Sequence, residues 1–317
     1  MKNLIKKYNI SNIFFDRYLQ QNALNRYVVE MTKFMWKKEG KFLNPLKKDE
    51  YIEQFIKEEI ENFYEKNILN IPQIEFSITT KCTLKCKECC ALIPKFNNVG
   101  HINMRFDNFK KYLDKICMEV NKIRYLVFLG GEPLVNRDLF KMVEYASQKE
   151  NIDLIRITSN GTMLPNQKLL NAIKQSQKVY FFISDYSSNT SLKSILKFDE
   201  LKELLHKNDI KFQTMEDMEW CSELGFASCE NTDKEMIKKA LECHRLKCTH
   251  LIDGVIDVCS KAFAGRKLGY INNDDYIDLL NSDNLKSDLI RFYSNFPSAC
   301  KQCLLSDRKI MPAEQIK

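Results

Sequence analysis

From residue 72 to about 215, runs that read as strands alternate with runs that read as helices, and this rhythm limits the possible folds more than any other feature of the chain. Ile74, Phe76 and Ile78 alternate with Gln73, Glu75, Ser77 and Thr79, the period of a strand. Residues 125–129, 152–158 and 179–184 read as further strands and 210–214 as another, with helices expected from about Asp138, Pro165 and Ser191. Such alternation implies an α/β fold built on a parallel sheet, either open or closed into a complete or partial barrel. In both forms chemistry gathers at the C-terminal ends of the strands.

Residues 1–70 carry a helical period instead. Ile13, Phe14, Tyr18 and Leu24 lead into Val28, Val29, Met31, Phe34 and Met35, and a second run holds Tyr51, Phe55, Ile56, Ile60 and Phe63. Gly40 and Pro45 punctuate the gap. The longest apolar runs, such as 125–129, fall far short of the roughly 20 residues of a membrane span, and the N-terminus has no signal-peptide pattern. A cytoplasmic location is expected, with no membrane partner. The 317 residues suffice for a core without staples. In a reducing compartment the 12 cysteines therefore point to metal binding or catalysis rather than disulfides. The net charge of +7, from 49 Lys+Arg against 42 Asp+Glu, is interleaved, as at Lys47-Lys48-Asp49-Glu50. That is the pattern of solvated helix faces, not the basic stripe of a nucleic-acid groove.

Three motifs sit at consecutive strand ends. The first strand runs into Cys82-Thr83-Leu84-Lys85-Cys86-Lys87-Glu88-Cys89-Cys90. The spacing Cys-x3-Cys-x2-Cys on a loop lets three thiolates converge. Cubane iron–sulfur clusters normally take four thiolates, so three leave one iron open to a substrate or cofactor. A zinc knuckle completed by Cys90 or His101 is the alternative on spacing alone. The next strand ends in Gly130-Gly131-Glu132-Pro133, where glycines allow close backbone approach and free N–H donors, and Glu132 offers an acceptor to a cationic amine. A plain β-to-α turn also favours Gly-Gly. The third ends in Ser159-Asn160-Gly161-Thr162, and the fourth in Ser184-Asp185.

In this order and spacing, the cysteine triplet, the Gly-Gly-Glu-Pro segment and the Ser-Asn-Gly-Thr segment resemble the radical S-adenosylmethionine (radical SAM) superfamily. The resemblance implies a partial (β/α)6 barrel, with Cys82, Cys86 and Cys89 holding a [4Fe–4S] cluster whose open iron takes S-adenosylmethionine. It implies that Gly130, Gly131 and Glu132 hold the methionine amine, with Pro133 in the same cofactor-binding segment. Ser159 and Asn160 would face the ribose and methionine part, with Ser184 and Asp185 close by. One departure is Glu88, where the family usually has an aromatic residue. A backbone contact to adenine does not depend on that side chain, but apolar packing under the adenine does.

Seven cysteines lie beyond residue 215. Cys243, Cys248, Cys259, Cys300 and Cys303 can supply the four thiolates of a second cluster with one to spare. Their pattern, with Gly254 ahead of Cys259 and Cys-x2-Cys at 300–303, resembles the SPASM and Twitch auxiliary-cluster extensions, and the absence of later cysteines favours the Twitch form. A zinc ribbon uses the same Cys-x2-Cys spacing. Whether Cys243 or Cys248 is the spare stays open. Cys221 and Cys229 fall near where substrate would lie and are candidate hydrogen-atom donors, against a plain structural reading. Cys117 shares an apolar helix side with Phe109, Leu113, Ile116 and Val120, and reads as core.

The resulting expectation is an α/β partial barrel over residues 71–215, an N-terminal helical segment over 1–70 and a C-terminal auxiliary [4Fe–4S] region over 216–317. The resemblance implies one-electron cleavage of S-adenosylmethionine to a 5′-deoxyadenosyl radical that removes hydrogen from substrate. It also implies a flavodoxin- or ferredoxin-type reductase as partner. Net oxidation or epimerisation of a sugar or sugar conjugate is the favoured outcome. Epimerisation or cross-linking of a ribosomal peptide is the alternative, and a zinc-binding protein without enzymatic activity the remoter one.

Overall fold

In the computed structural model, the described residues are 1–37, 45–215, 220–222, 225–227, 232–304, 306 and 308–316. The chain begins with α1 (Lys2–Lys7), α2 (Asn12–Phe14), a π-helical turn (Phe15–Gln20), α3 (Gln21–Lys37) and α4 (Lys48–Tyr64). The short β1 (Asn70–Ile71) leads into an alternating series: β2 (Ile74–Thr79), α5 (Phe106–Glu119), β3 (Lys122–Gly130), α6 (Leu139–Ser147), β4 (Ile152–Ser159), α7 (Gln167–Lys174), β5 (Val179–Ser184), α8 (Phe198–Lys207) and β6 (Phe212–Met215). There follow β7 (Trp220–Cys221), β8 (Gly225–Phe226), α9 (Asp233–Glu242), β9 (His250–Ile252), β10 (Val255–Asp257), α10 (Ser260–Lys267), β11 (Ile277–Asp278), α11 (Leu285–Ser294), β12 (Cys303–Leu304) and β13 (Lys309–Ile310).

The main sheet runs β11-β10-β9-β2-β3-β4-β5-β6, with β1 pairing on β3. From β9 to β6 every pairing is parallel. This open run of parallel strands, with helices between them, is the α/β partial-barrel arrangement. The predicted strands stand within a few residues of their expected limits. One helix does not: the helix expected from about Ser191 starts at Phe198. Ser191 lies instead in a 3-10 turn (Thr190–Leu192), because Asn189 Oδ1 accepts its N–H at 3.2 Å and its hydroxyl at 2.6 Å.

The strand rhythm also resumes after 215. Asp253 and Gly254, at φ of 51° and 80°, make a two-residue hairpin between β9 and β10, and β9 then docks parallel to β2. The C-terminal region thus adds strands to the same sheet as the barrel.

Both faces of that sheet are covered. Ile74, Phe76, Ile78, Leu126, Phe128, Ile155, Ile157, Phe181 and Ile183 are buried in a core shared with Phe109, Leu113, Met142 and Leu170 of the helices. Ile13, Phe14, Tyr18 and Leu19 belong to this same core, which joins the N-terminal helices to the barrel. On the other face, Val29 of α3 packs against Tyr125, Val127, Leu154 and Tyr180. Asn25 Nδ2 of α3 donates to Pro72 O at 2.8 Å, which sets this helix at the N-terminal ends of the strands, opposite the motif loops.

Register brings His250, Glu75, Val127, Arg156 and Tyr180 into one row on that second face. The next row toward the C-terminal ends holds Ser77, Leu129, Thr158, Phe182 and Gln213. The inner face is therefore mixed polar and aromatic. No helix among the described residues is long and apolar enough to cross a membrane.

Candidate functional site

The cysteine loop leaves β2 after Thr79, and the structure gathers its thiols into one patch. Cys82, Cys86 and Cys89 lie together with Leu84, Leu192, Leu196, Ala313, Tyr186 and Trp220. Burial disfavours the thiolate and pushes Cys86 up to about 11, and it raises Cys82 and Cys89 as well. Two of the sulfurs face side-chain amides. Asn160 Nδ2 donates to Cys82 Sγ at 3.5 Å, and Gln315 Nε2 donates to Cys86 Sγ at 3.6 Å. Donors aimed at sulfur suit thiolates bound to iron, which compensates the burial.

Among the described residues no three His, Cys, Asp or Glu side chains meet as they would around a single metal ion. The thiols share a patch, and in a cubane each thiolate meets its own iron. His101 is engaged elsewhere, with Nδ1 2.9 Å from Thr80 O and Nε2 2.9 Å from Asn97 Oδ1.

The strand-end motifs meet this loop. Gly130 and Gly131 are required by close approach of backbone to backbone: a Cβ at either would come within 2.2 Å of Thr79 O or Lys81 O. Gly131 N–H donates to Thr79 O at 2.8 Å and Glu132 N–H to Lys81 O at 2.9 Å. The Gly131 amide, expected to be free for a ligand, instead fastens the β3 end to the cysteine loop.

Glu132 is fully buried, and its carboxylate accepts from Asn160 N at 2.8 Å and Leu134 N at 3.1 Å. Burial raises it to about 7 against those two bonds. Pro133 is buried in the 3-10 turn that follows. Asn160 Oδ1 accepts from Thr162 N at 3.0 Å, and Asn160 Nδ2 also donates to Thr83 Oγ1 at 3.1 Å. Ser159 Oγ accepts Gly161 N–H at 3.2 Å. At the end of β5, Ser184 bonds the Tyr186 hydroxyl and Asp185 Oδ1 accepts from Ser187 N at 2.8 Å. Gly131, Glu132 and Asn160 thus bond the cysteine loop, Ser184 reaches it only through Tyr186, and the Asp185 carboxylate bonds within its own turn.

A second gathering of thiols lies in the C-terminal region. Cys243, Cys259, Cys300 and Cys303 line one pocket with Phe226, Lys261 and Ala299. Cys243 follows α9, Cys259 caps α10 and accepts Ala262 N–H at 3.4 Å, Cys300 sits in the 3-10 turn Ser298–Lys301, and Cys303 opens β12. Burial raises Cys259, and it pushes Cys300 up to about 12 with the thiols of Cys303 and Cys243 adding to it. Lys261 brings a buried cation to the wall, with Nζ donating to Leu304 O at 2.8 Å.

Cys248 does not line this pocket. Its thiol faces Glu75, and Gln73 Nε2 donates to its sulfur at 3.9 Å. Cys221 is exposed on β7, paired with Lys309, and Cys229 lies outside the described residues.

Several site residues had no motif to announce them. Tyr186 packs edge-on against Trp220, at 5.7 Å between rings, beside the three thiols. Its only sequence signal was an aromatic residue directly after Ser184-Asp185. Glu88 accepts from Ser222 Oγ at 2.5 Å and pairs with Arg308 at 3.3 Å, so the departure from an aromatic residue places an anchor there.

The Radical SAM superfamily model matches residues 76–232. The GTP 3′,8-cyclase of Clostridium acetobutylicum is 34% identical over 104 residues, 32% of this chain and 31% of the relative. That of Aliarcobacter butzleri is 26% identical over 242 residues, 73% of this chain and 66% of the relative. The chain therefore spans less than a third of the length of the first of these curated relatives. Among solved structures, BtrN in complex with AdoMet and 2-DOIA is 14% identical, with 77% of this chain and 96% of that chain covered and a TM-score of 0.44. SuiB of Streptococcus suis is 13% identical, with 86% and 77% covered and a TM-score of 0.42. By its motifs, its fold and the family model, the chain belongs to the radical SAM superfamily.

Proposed function

We propose that the chain removes a hydrogen atom from a sugar or sugar conjugate, using a [4Fe–4S] cluster at Cys82, Cys86 and Cys89 and an auxiliary [4Fe–4S] cluster at Cys243, Cys259, Cys300 and Cys303. The observation that carries this reading is the patch of three thiols at the strand ends, one buried and two half-buried, with the amides of Asn160 and Gln315 donating to two of the sulfurs. When bound, the cluster and S-adenosylmethionine supply a 5′-deoxyadenosyl radical that takes hydrogen from unactivated carbon.

The protein's share is placement. Gly130 and Gly131 let the end of β3 close on the loop, and Glu132 ties that end to Asn160. With Pro133, Ser159, Ser184 and Asp185 they form the rim on which we place S-adenosylmethionine. Residues 71–215 then carry the radical-generating core and 216–317 the auxiliary site, which serves as electron acceptor or substrate anchor. An electron leaving through that site gives oxidation, the outcome we favour. A hydrogen returned by a thiol such as Cys221 gives epimerisation. The reduction requires a one-electron donor of flavodoxin or ferredoxin type.

The inner face supports a hydroxyl-rich substrate. It presents Glu75, Arg156 and Thr158, and His250 Nδ1 stands 3.6 Å from Glu75 Oε2. Other buried polar atoms there have no hydrogen-bond partner in the protein: His250 Nε2, Arg156 Nε and Thr158 Oγ1. Such groups call for bonding partners from a bound molecule or water. A nucleotide, whose ribose is itself a sugar, is the second reading, favoured by the matches to GTP 3′,8-cyclases.

Anaerobic purification with iron and sulfide counting tests the proposal. About eight irons per chain are expected, falling to about four when Cys82, Cys86 and Cys89 are replaced together by alanine. Zinc without iron overturns the reading. Reductive cleavage of S-adenosylmethionine accelerated by GTP, and not by sugars, selects the nucleotide.

A further inference from the structure

We infer that Gln315 is a positioning residue for the cluster at Cys82, Cys86 and Cys89: its amide donates to the Cys86 sulfur and sets that cluster's reduction potential. The inference rests on the cluster reading above. It starts from a segment that no motif singled out, residues 308–316, which follows the last cysteine of the auxiliary pocket.

This tail runs back across the molecule and pairs with the cysteine loop as an added strand. Cys86 and Gln315 form an antiparallel bridge. Lys87 N donates to Glu314 O at 2.7 Å, and Ile316 N to Lys85 O at 2.8 Å. Side chains reinforce the pairing, with Lys87 Nζ 3.5 Å from Glu314 Oε1 and Asn189 Nδ2 donating to Pro312 O at 2.9 Å. Ala313 is fully buried in the thiol patch beside Leu84 and Cys86. Upstream, Arg308 pairs with Glu88, and Ser222 N donates to Arg308 O at 2.9 Å.

Within this strap the Gln315 side chain is fully committed. Oε1 accepts Lys85 N–H at 2.7 Å, while Nε2 donates to Ala313 O at 2.6 Å and to Cys86 Sγ at 3.6 Å. An N–H facing a ligand sulfur stabilises the extra negative charge that reduction places on the cluster, and hydrogen bonds to the sulfurs are among the determinants of such potentials. Losing the donor makes the cluster harder to reduce. The donor lies on a tail that follows Cys303, so the chain beyond the auxiliary pocket reaches back to the first cysteine loop.

The test is a dithionite titration, followed by electron paramagnetic resonance, of the full-length holoprotein without S-adenosylmethionine. It compares wild type, Gln315→Ala and Gln315→Glu. The glutamate variant keeps the oxygen that accepts Lys85 N–H, so the strap stays paired while the donor to sulfur is lost. Both variants are expected to shift the midpoint of this cluster to more negative potential and to leave the auxiliary midpoint unchanged. Iron lost from this site alone, with circular dichroism unchanged, supports the same contact. Full iron with an unmoved midpoint overturns the inference and leaves the cluster reading intact. A wild-type protein that takes up no iron overturns the cluster reading itself.

Discussion

Glu132 shows how a side chain suited to ligand binding is spent on architecture. With no exposed surface, it accepts from Asn160 N and Leu134 N and so locks the ends of two neighbouring strands in register. Replacing it with glutamine leaves one oxygen and turns an NH2 toward a backbone N–H. The expected cost of Glu132→Gln is about 1–3 kcal/mol, the penalty for a buried group left unsatisfied. The carboxyl also titrates. Burial raises it from 4.5 to about 7, so the folded chain keeps a proton that the unfolded chain has released in that window. Its contribution to stability is therefore full below pH 4.5 and falls as the pH rises to about 7. Urea unfolding of wild type and variant across this range checks both points, because the wild-type advantage should shrink as the pH rises. An advantage independent of pH would show that the carboxyl is already ionised when the protein is acidic.

At the scale of elements, periodicity made the fold legible where one face of an element is apolar, and hid what polar side chains do inside it. Ile74, Phe76 and Ile78 marked β2, yet Ser77 between the last two and Thr79 after them are buried as well, because the sheet is covered on both sides. The hairpin of β9 and β10 is readable from Asp253-Gly254 between the apolar pairs Leu251-Ile252 and Val255-Ile256, but the surrounding cysteines give that stretch the look of a metal pattern. Arg17 is the clearest case. It sits between Phe14 and Tyr18 on a buried helical face, where a charge breaks the pattern. Its Nε donates to Leu246 O at 3.0 Å, and its guanidinium bonds Phe292 O and, at 2.8 Å, Asn295 O, over the ring of Phe292. One residue thus joins the N-terminal helices to the C-terminal region. Arg17→Met keeps the apolar bulk and strands three carbonyls, so a loss of about 3 kcal/mol or more is expected. Chemical denaturation measures it, and a loss under about 1 kcal/mol would mean that water replaces the guanidinium there.

At the scale of the whole molecule, thiols of the described residues gather into two groups, one on a single loop and one drawn from distant segments. The triplet was legible because its three cysteines are local, within eight residues on one loop. The auxiliary set was not, because Cys243 and Cys248 offer similar spacing to Cys259 and only the fold separates them. The 3-10 turn His244–Lys247 carries the chain from one position to the other. It leaves Cys243 at the pocket with Cys259, Cys300 and Cys303, and carries Cys248 to the foot of β2 beside Gln73 and Glu75. Substitution of the two cysteines should therefore give opposite results. Cys243→Ser removes a thiolate from the auxiliary set and is expected to lower the iron content by up to about four per chain, with the S-adenosylmethionine-binding cluster retained. Cys248→Ser trades one small half-buried side chain for another beside Glu75 and is expected to keep all the iron. Counting iron and sulfide on the two anaerobically purified variants decides the matter. Iron lost from Cys248→Ser and kept in Cys243→Ser would reverse the assignment and require the turn between them to refold around the cluster.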